Sequence, residues 1–327
     1  MHSSPELSII FVNWNSLDYL RESLQSIYTA TVGIDFEIIV VDNASSRDDA
    51  TQLKAEFPRV TVVRSEKNLG FARANNLGFQ QSSGKYVLFL NPDTKVIGPA
   101  IATMLGHLKS LPGAAVVGCK LLNSDGSVQT SCVQRFPTIL NQILDVEFLR
   151  RRWPRWRIWG IAPLFSDAPE PAEVEVVSGA CLMIERDAFE RAGMFNQEYF
   201  MYAEDVDLCC QVHKLGRKVY YTGEARVVHY GGGTSKQRKG NQWVAVMQRQ
   251  AILKFCQNTR GRFYAEAYRV AMGINAACRL ALLALVLPFR RLAAENQIVH
   301  PTLGKWLGVL KWAIGVDRRV SRLHEDA

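Results

Sequence analysis

The fold class follows from residues 85–94, which read KYVLFLNPDT. Tyr86 to Leu90 form a continuous apolar run that ends in a polar turn, a pattern typical of a buried parallel strand. Ligands of open α/β sheets bind beyond the carboxyl ends of the strands, so Asp93 is expected at such a place. Its carboxylate suits Mg²⁺ or Mn²⁺, cations that also hold phosphate oxygens. Taken alone, Asn-Pro-Asp is more often a plain turn than a metal-binding site. Other parts of the sequence are needed to choose between these two interpretations.

Further strands precede this stretch and alternate with helices of amphipathic pattern. The strands are predicted at 7–12, 36–41 and 60–64, and the helices at 17–28, 48–57 and 71–81. This alternation predicts an α/β fold with a doubly wound, mostly parallel sheet. Asp42 follows the second strand and can accept a hydrogen bond from a sugar hydroxyl or a pyrimidine N–H. A helix N-cap is the alternative role for Asp42.

Three acidic residues stand close together in the latter half of the chain. Glu204, Asp205 and Asp207 lie within four positions at the start of a predicted helix. Their repulsion has to be offset by a cation, a proton donor or the helix N-terminus. The two interpretations are therefore a general base and ordinary charge at a helix start.

A histidine at the end of a strand is a further candidate. Two short strands, predicted at 218–221 and 225–228, lead to His229 and then to a glycine-rich loop at 231–235. A lone histidine is more often structural than a ligand. The loop, however, has the composition to close over phosphates through its backbone N–H groups.

Composition narrows the class of protein. With 327 residues, 48% of them hydrophobic and 21% charged, the chain is expected to be globular, and its net charge of +8 favours an anionic partner. Seven cysteines without a C-x-x-C pair argue against a disulfide framework and a zinc site, and fit a reducing cytosol. The N-terminus lacks the pattern of a secretory signal. Neither G-x-x-x-x-G-K-[ST] nor G-x-G-x-x-G occurs in the first half, which counts against P-loop enzymes and dinucleotide oxidoreductases.

Together, these stretches resemble the family 2 glycosyltransferases of the GT-A fold, over about residues 7 to 240. The rhamnosyltransferase-like branch is the most similar, in NLGFARANN at 68–76, in FMYAEDVDL at 200–208 and in His229 before a glycine-rich loop. The resemblance implies an inverting enzyme that uses a nucleotide-diphosphate sugar. It also implies a divalent metal, Mg²⁺ or Mn²⁺.

The resemblance implies catalytic and binding roles for individual residues. It implies that Asp205 is the general base, with Glu204 beside it, and that Asp93 and His229 bind the metal. Gly179 and Ala180 fall at the acceptor-side turn. The residues expected at the nucleotide sugar are Asn13, Asn15, Asp42, Asn43, Arg73, Asn76 and Asn91.

Two positions depart from the family pattern. The first acid of the family's Asp-x-Asp is Asn91, which leaves one charge fewer for a metal. The family's Ala-Arg-Asn is Ala74-Asn75-Asn76, although Arg73 lies beside it.

The C-terminal residues lose the α/β alternation. Residues 270–289 are apolar except for Arg279, and a mid-span arginine costs about 2.5–3.5 kcal/mol in a membrane-crossing helix. We therefore expect an interfacial helix on anionic headgroups, with 303–314 as a second one. The alternative is a helix packed on the catalytic domain or in a homodimer. The predicted domains are 1–115 for the nucleotide sugar, 116–240 for acceptor binding and catalysis, and 241–327 as a helical extension.

The leading hypothesis is a cytoplasmic enzyme, peripheral on the inner face of the plasma membrane. It would transfer rhamnose from dTDP-rhamnose to a lipid-linked or polysaccharide acceptor. A UDP-sugar (galactofuranose, GlcNAc or galactose) is the alternative donor. A catalytically silent nucleotide-sugar-binding subunit is the alternative in another class. Nucleic-acid binding rests only on net charge and the Arg/Trp run at 150–159, so we expect no nucleic-acid partner.

Overall fold

The computed structural model describes residues 4–47, 49–166, 171–231, 240–291 and 296–316. These residues form two compact units. The first, the α/β unit, takes its residues from 1–136, 152–200 and 204–234. The second, the helical unit, takes its residues from 137–151, 201–203 and 235–327.

Strands and helices alternate along the α/β unit, and long helices dominate the helical unit. The strands are β1 Leu7–Asn13, β2 Phe36–Asn43, β3 Val60–Ser65, β4 Tyr86–Leu90, β5 Thr94–Ile97, β6 Ala114–Leu122, β7 Val133–Gln134, β8 Ala172–Val174, β9 Val176–Val177, β10 Cys181–Glu185 and β11 Lys218–His229. The helices are α1 Leu17–Ala30, α2 Asp49–Glu56, α3 Gly70–Gln80, α4 Ala100–Ser110, α5 Ile139–Ile143, α6 Glu147–Arg152, α7 Arg186–Arg191, α8 Glu204–Lys214, α9 Gly240–Arg260, α10 Arg262–Arg291 and α11 Asn296–Ala313.

Nine strands of the described chain form one sheet, in the order β3-β2-β1-β4-β10-β6-β11-β5, with β8 paired to β11. Neighbouring strands are parallel from β3 to β4, and β6 is parallel to β11. Strands β10, β5 and β8 run against the strands that they pair with. The sheet is thus mostly parallel and is followed by a helical C-terminal region, which confirms the predicted fold class.

Strand β11 differs from the sequence-based expectation of two short strands. Lys218–His229 is one strand of 12 residues. Its register against β6 shifts between Thr222 and Arg226, an irregularity that interrupts the ladder without ending the pairing. The strand therefore continues to His229, which pairs with Thr94 directly after Asp93.

Aromatic packing fixes the strand that leads to Asp93. Phe89 on β4 is fully buried. Its ring centroid lies 4.9 Å from that of Phe189 on α7 and 4.8 Å from that of Phe195, the latter edge-to-face. Phe195 precedes α8, so this cluster holds the approach to α8 against the centre of the sheet.

Helices α9, α10 and α11 pack together in the helical unit. The Trp312 indole N–H on α11 donates to Gln250 Oε1 on α9 at 2.8 Å, and its ring contacts Tyr268 on α10 edge-to-face at 6.4 Å. On α10, the Arg279 guanidinium donates to the Ile143 carbonyl of α5 at 3.1 Å. One interior of side chains therefore joins the helices of this unit.

We expect Phe89→Ala to lower the free energy of unfolding of the α/β unit by about 3–5 kcal/mol, because it removes a buried ring and leaves a cavity. Urea unfolding followed by circular dichroism measures the change. Val32→Ala is the matched control, since Val32 is 80% exposed and its loss should shift stability by less than about 0.5 kcal/mol. Equal midpoints for the two variants would show that the aromatic cluster does not hold the unit together.

Candidate active site

A buried carboxylate lies at the carboxyl end of β2. Asp42 pairs in register with Asn13 at the end of β1 and is 1% exposed. Its Oδ1 accepts a hydrogen bond from the Ser45 N–H at 3.3 Å, and Arg64 Nε lies 4.0 Å from Oδ2. No group in the described residues donates a hydrogen bond to Oδ2. Because an unsatisfied buried oxygen is costly, Asp42 is suited to accept a hydrogen bond from a ligand.

The predicted residues Asn13 and Asn15 bind neighbouring loops to each other. Asn13 Nδ2 donates to Asp49 Oδ2 at 3.0 Å and to Ser45 Oγ at 3.2 Å. Asn15 has a φ of 54°, and its Oδ1 accepts from the Ser46 N–H at 2.7 Å. Asparagine tolerates this left-handed backbone better than most residues. Both amides therefore fix the loops around Asp42.

Asn43 connects β2 to the start of α3. Its Oδ1 accepts from the Leu69 N–H at 2.8 Å. Its Nδ2 donates to Asn68 Oδ1 at 3.1 Å and to the Gly70 carbonyl at 3.2 Å. The amide thereby uses its donor and its acceptor to set where α3 begins.

The two sequence motifs at 68–76 and 200–208 meet at Gly70. The Phe71 N–H donates to the Phe200 carbonyl at 2.7 Å. Gly70 has a φ of +78°, and a Cβ on it would lie 2.3 Å from the Phe200 carbonyl oxygen. A side chain is thus excluded at position 70 by both the backbone conformation and the neighbouring chain.

Helix α3 carries Arg73 and Asn76, which have different surroundings. Asn76 is 3% exposed, its Nδ2 donates to the Phe195 carbonyl at 2.7 Å, and its Oδ1 accepts from the Phe195 N–H at 3.1 Å. Arg73 is half-buried, and no group in the described part of the chain accepts a hydrogen bond from it. Asn76 therefore ties α3 to the segment before α8, while the Arg73 guanidinium remains available for an anion.

Three of the predicted site residues, Asn91, Asp93 and His229, lie close together beyond the end of β4. Asp93 is 5% exposed, and its Oδ1 lies 3.4 Å from His229 Nε2. Asn91 Nδ2 lies 3.3 Å from the same nitrogen. Antiparallel pairing of β5 with β11 produces this meeting, since Thr94 and His229 are partners in the ladder.

Gln129, which the sequence analysis missed, orients His229. Its Nε2 donates to the His229 carbonyl at 2.6 Å, so its Oε1 faces His229 Nδ1 at 3.0 Å. An amide oxygen only accepts, so Nδ1 carries the proton and Nε2 presents its lone pair toward Asp93 and Asn91. Gln129 lies outside any motif, 100 residues from His229, and no local signal marks it.

The group around Asp93 fits a divalent cation. A carboxylate oxygen and an imidazole lone pair at 3.4 Å repel each other unless a proton or cation lies between them. The Asp93 carboxylate suits Mg²⁺ or Mn²⁺, cations that leave positions open for phosphate oxygens. Within the described residues, no cluster of three or more His, Cys, Asp and Glu side chains has a metal-binding arrangement.

The acidic group of α8 is built around Asp205. Its Oδ2 accepts from the Gly179 N–H and its Oδ1 from the Val206 N–H, both at 2.8 Å. Burial raises the pKa of Asp205, and the hydrogen bonds from the two N–H groups oppose that rise. Burial, followed by the charge of Asp205, raises the pKa of Glu204 well above its ordinary value. Glu204 is 6% exposed, and no described group donates to its Oε2. The neutral form is thus favoured at Glu204 and the carboxylate at Asp205.

The turn at 178–180 joins the acidic group to the residues beyond β4. The Gly179 N–H bonds Asp205, and the Ala180 carbonyl accepts from the Asn91 N–H at 3.0 Å. The antiparallel pairing of β10 with β4 sets this turn in place. The glycine-rich loop expected over phosphates begins at Gly231, but residues 232–239 lie outside the described residues.

A mostly parallel sheet with carboxylates at the carboxyl ends of its strands has its ligand site along that edge. Residues 8–193, more than half of the chain, match the model for glycosyl transferase family 2, and the chain belongs to that family.

Three relatives show how far the similarity extends. The chain is 29% identical over 237 residues to the N-acetylglucosaminyl-diphospho-decaprenol L-rhamnosyltransferase of Mycobacterium tuberculosis, covering 68% of this chain and 76% of that protein. It is 25% identical over 231 residues to the rhamnosyltransferase WbbL of Escherichia coli, covering 68% and 82%. It is 27% identical over 234 residues to the O-antigen biosynthesis protein RfbC of Myxococcus xanthus, covering 70% of this chain. The chain spans only 18% of RfbC and 25% of another relative, from Sinorhizobium fredii.

Solved structures share the fold. The mannosyltransferase PcManGT of Pyrobaculum calidifontis, in complex with GDP-Man and Mn²⁺, superposes with a TM-score of 0.59 at 17% identity, covering 96% of this chain and 88% of that one. GalNAc-T7 with UDP, GalNAc and Mn²⁺ superposes with a TM-score of 0.52 at 16% identity, covering 70% and 44%. Both confirm the GT-A-like architecture.

We expect Gln129→Leu to change the tautomer of His229. In nitrogen-detected NMR of histidine-labelled protein in EDTA, wild-type His229 should show the proton on Nδ1. Gln129→Leu removes the acceptor, so the proton should move to Nε2, where Asp93 accepts it. Gln129→Glu keeps an acceptor and should keep the wild-type tautomer, while His107 serves as the internal control. An unchanged His229 spectrum in Gln129→Leu would remove Gln129 from this role.

Proposed function

We propose that this protein is an inverting glycosyltransferase that transfers rhamnose from dTDP-rhamnose to a lipid-linked or polysaccharide acceptor. The observation that carries the proposal is the 178–180 turn, which contacts both the Asp205 carboxylate and the Asn91-Pro92-Asp93 segment. A proton acceptor and a site for a leaving diphosphate are thereby held by one piece of backbone. The similarity to two rhamnosyltransferases supports the choice of sugar.

The nucleotide sugar would lie across the carboxyl ends of β1, β2 and β4. The Oδ2 of Asp42, to which no described group donates a hydrogen bond, suits the N–H of a pyrimidine ring, and Arg73 suits the diphosphate. Asn13, Asn15, Asn43 and Asn76 hold the surrounding loops. We assign donor binding mainly to residues 1–115 and acceptor binding and catalysis to 116–240.

Asp93 and His229 would hold a divalent metal, Mg²⁺ or Mn²⁺, with Asn91 beside them. When bound, the cation would offset the negative charge that develops on the leaving diphosphate. Gln129 keeps the Nε2 lone pair of His229 directed toward this place. The Mn²⁺ named with the two solved structures supports the choice of a divalent cation.

Asp205 would be the general base. Its carboxylate takes the proton of the acceptor hydroxyl while that oxygen bonds to the anomeric carbon and the bond from this carbon to the diphosphate oxygen breaks. Displacement from the opposite face inverts the configuration. Burial raises the pKa of Glu204 well above its ordinary value, which favours placing the negative charge of the pair on Asp205.

We expect Asp205→Asn to lower kcat by about 10²–10⁴-fold, because the amide cannot accept the proton. Calorimetric binding of dTDP with Mn²⁺ should stay close to wild type. Asp187→Asn, at an exposed acid on α7, is the control and should keep full transfer. In the wild type, kcat/KM should rise with pH through an apparent pKa above the ordinary aspartate value, since burial raises the pKa of this carboxyl. Loss of dTDP binding in Asp205→Asn would instead make this residue structural.

The same titrations decide the donor. Tighter metal-dependent binding of dTDP than of UDP supports rhamnose, and the reverse order favours a UDP-sugar. Asp93→Ala should abolish the dependence on Mn²⁺, and an unchanged dependence would place the metal elsewhere. Binding of nucleotide without transfer to any acceptor would favour the catalytically silent subunit.

We further propose that α10 places the protein at the inner face of the plasma membrane. Within the described residues, Arg262–Leu285 is the one segment long and apolar enough to cross a membrane, and only 22% of its most apolar window is buried. Its exposed residues include Val270, Ile274, Leu282 and Leu285. Arg279 is half-buried and bonds Asn275 and Ile143, so its charge lies off this face. A helix with one apolar face and one packed face suits the surface of a bilayer.

The double substitution Ile274→Asp and Leu282→Asp should abolish co-sedimentation with vesicles that contain anionic phospholipid, because two charges would enter the apolar layer. Val32→Asp, exposed on the α/β unit, should co-sediment like wild type. Undiminished co-sedimentation of the double variant would rule out this face. A wild-type dimer that the double substitution converts to monomer in light scattering would assign the face to a second copy instead.

A further inference from the structure

A guanidinium without a partner lies inside the helical unit. Arg249 on α9 is 6% exposed, and its Nε is buried. Within the described part of the chain, no carboxylate, carbonyl or hydroxyl accepts a hydrogen bond from it. Arginine stays charged when buried, and a buried charge left without an acceptor is strongly unfavourable. An acceptor from outside the protein, such as a bound anion, would relieve this cost.

Two further cations lie close to Arg249. Arg279 on α10 and Lys305 on α11 flank the Trp306 ring, with Arg279 Cζ at 4.4 Å and Lys305 Nζ at 5.2 Å from its centroid. Burial and then the charge of Arg249 lower the pKa of both. Asp145 is the carboxylate that opposes this effect, and it already lies 3.3 Å from Arg150. Positive charge is therefore in excess at this place.

Neutral groups in the same interior also lack partners. Arg279 Nε donates to Asn275 Oδ1 at 3.0 Å, and this leaves the buried Asn275 Nδ2 without an acceptor among the described residues. The hydroxyl of Tyr268 is also buried and has no hydrogen-bond partner among the described residues. Burial raises the pKa of this hydroxyl, and Arg249 is close enough for the charge of its guanidinium to oppose part of that rise. All of these groups can donate hydrogen bonds. An anion with several acceptor oxygens would satisfy all of these donors.

We propose that the helical unit binds a phosphate or diphosphate group through Arg249, Arg279 and Lys305, with Asn275 and Tyr268 as neutral donors. The ligand class is a prenyl diphosphate, because α10 carries Arg279 toward this interior and an apolar face toward the outside. The part of this proposal that makes the ligand a lipid-linked acceptor rests on the proposed function. Binding of the anion itself is independent of it.

Calorimetric titration with farnesyl diphosphate, inorganic diphosphate and farnesol tests the site in the full chain. We expect farnesyl diphosphate to bind wild type, and Lys305→Met to weaken it by at least about tenfold through the loss of a charged hydrogen-bond donor. Lys311→Met is the matched control, since Lys311 is exposed on the same helix. Arg249→Lys keeps the charge and should bind more tightly than Arg249→Met. Circular dichroism verifies that each variant is folded.

Further titrations separate this site from the one proposed for the nucleotide sugar. Asp93→Ala should bind farnesyl diphosphate like wild type. Loss of binding in Asp93→Ala with retention in Lys305→Met would overturn the proposal, as would equal binding by wild type and Lys305→Met. Inorganic diphosphate that binds as tightly as farnesyl diphosphate would assign the site to free phosphates, and farnesol alone should not bind. Because none of these readouts uses sugar transfer, a failure of the proposed function would appear separately, in the Asp205→Asn assay.

Discussion

The 178–180 turn is the constraint on which the arrangement of the α/β unit depends. Its main-chain atoms accept a hydrogen bond from Asn91 and donate one to Asp205, so two distant segments are positioned without any flexible side chain in the turn. Pairing of β10 between β4 and β6 places the turn, and a side chain at Gly179 would crowd Asp205, with a Cβ 3.3 Å from that of Asp205. Backbone geometry therefore sets the separation between the acid of α8 and the end of β4.

Asparagine side chains hold the loops around the site in place through hydrogen bonds. An amide has a donor and an acceptor on one planar group, so it can bind two strands of chain without introducing charge. Asn43 does this for the start of α3, and Asn76 does it for the Phe195 backbone. In the proposed function, the charged residues Asp42, Arg73 and Asp93 would then face the nucleotide sugar and the metal.

The helical unit combines two properties on α10 that oppose each other energetically. One face is apolar and exposed, and the other carries Arg279 into an interior that also holds Arg249 and Lys305. An apolar exterior favours a lipid chain, whereas a buried Arg249 without an acceptor, next to two further cations, favours a phosphate. The proposed prenyl diphosphate would satisfy both faces, its diphosphate on the cations and its chain on the apolar side.

Local patterns were enough to predict the α/β class and the strand ends that carry Asp42 and Asp93, because apolar runs and helical periodicity involve residues close together in the chain. The sequence also singled out the motifs of family 2, which join local turns to acidic residues. The tertiary structure decided that β11 is continuous, that Gln129 orients His229 and that Arg249 is buried without a partner. These facts depend on hydrogen bonds and packing between residues far apart in the chain. From the sequence alone, an arginine on an amphipathic helix is expected at the surface, and only the packing of the neighbouring helices shows that Arg249 is buried.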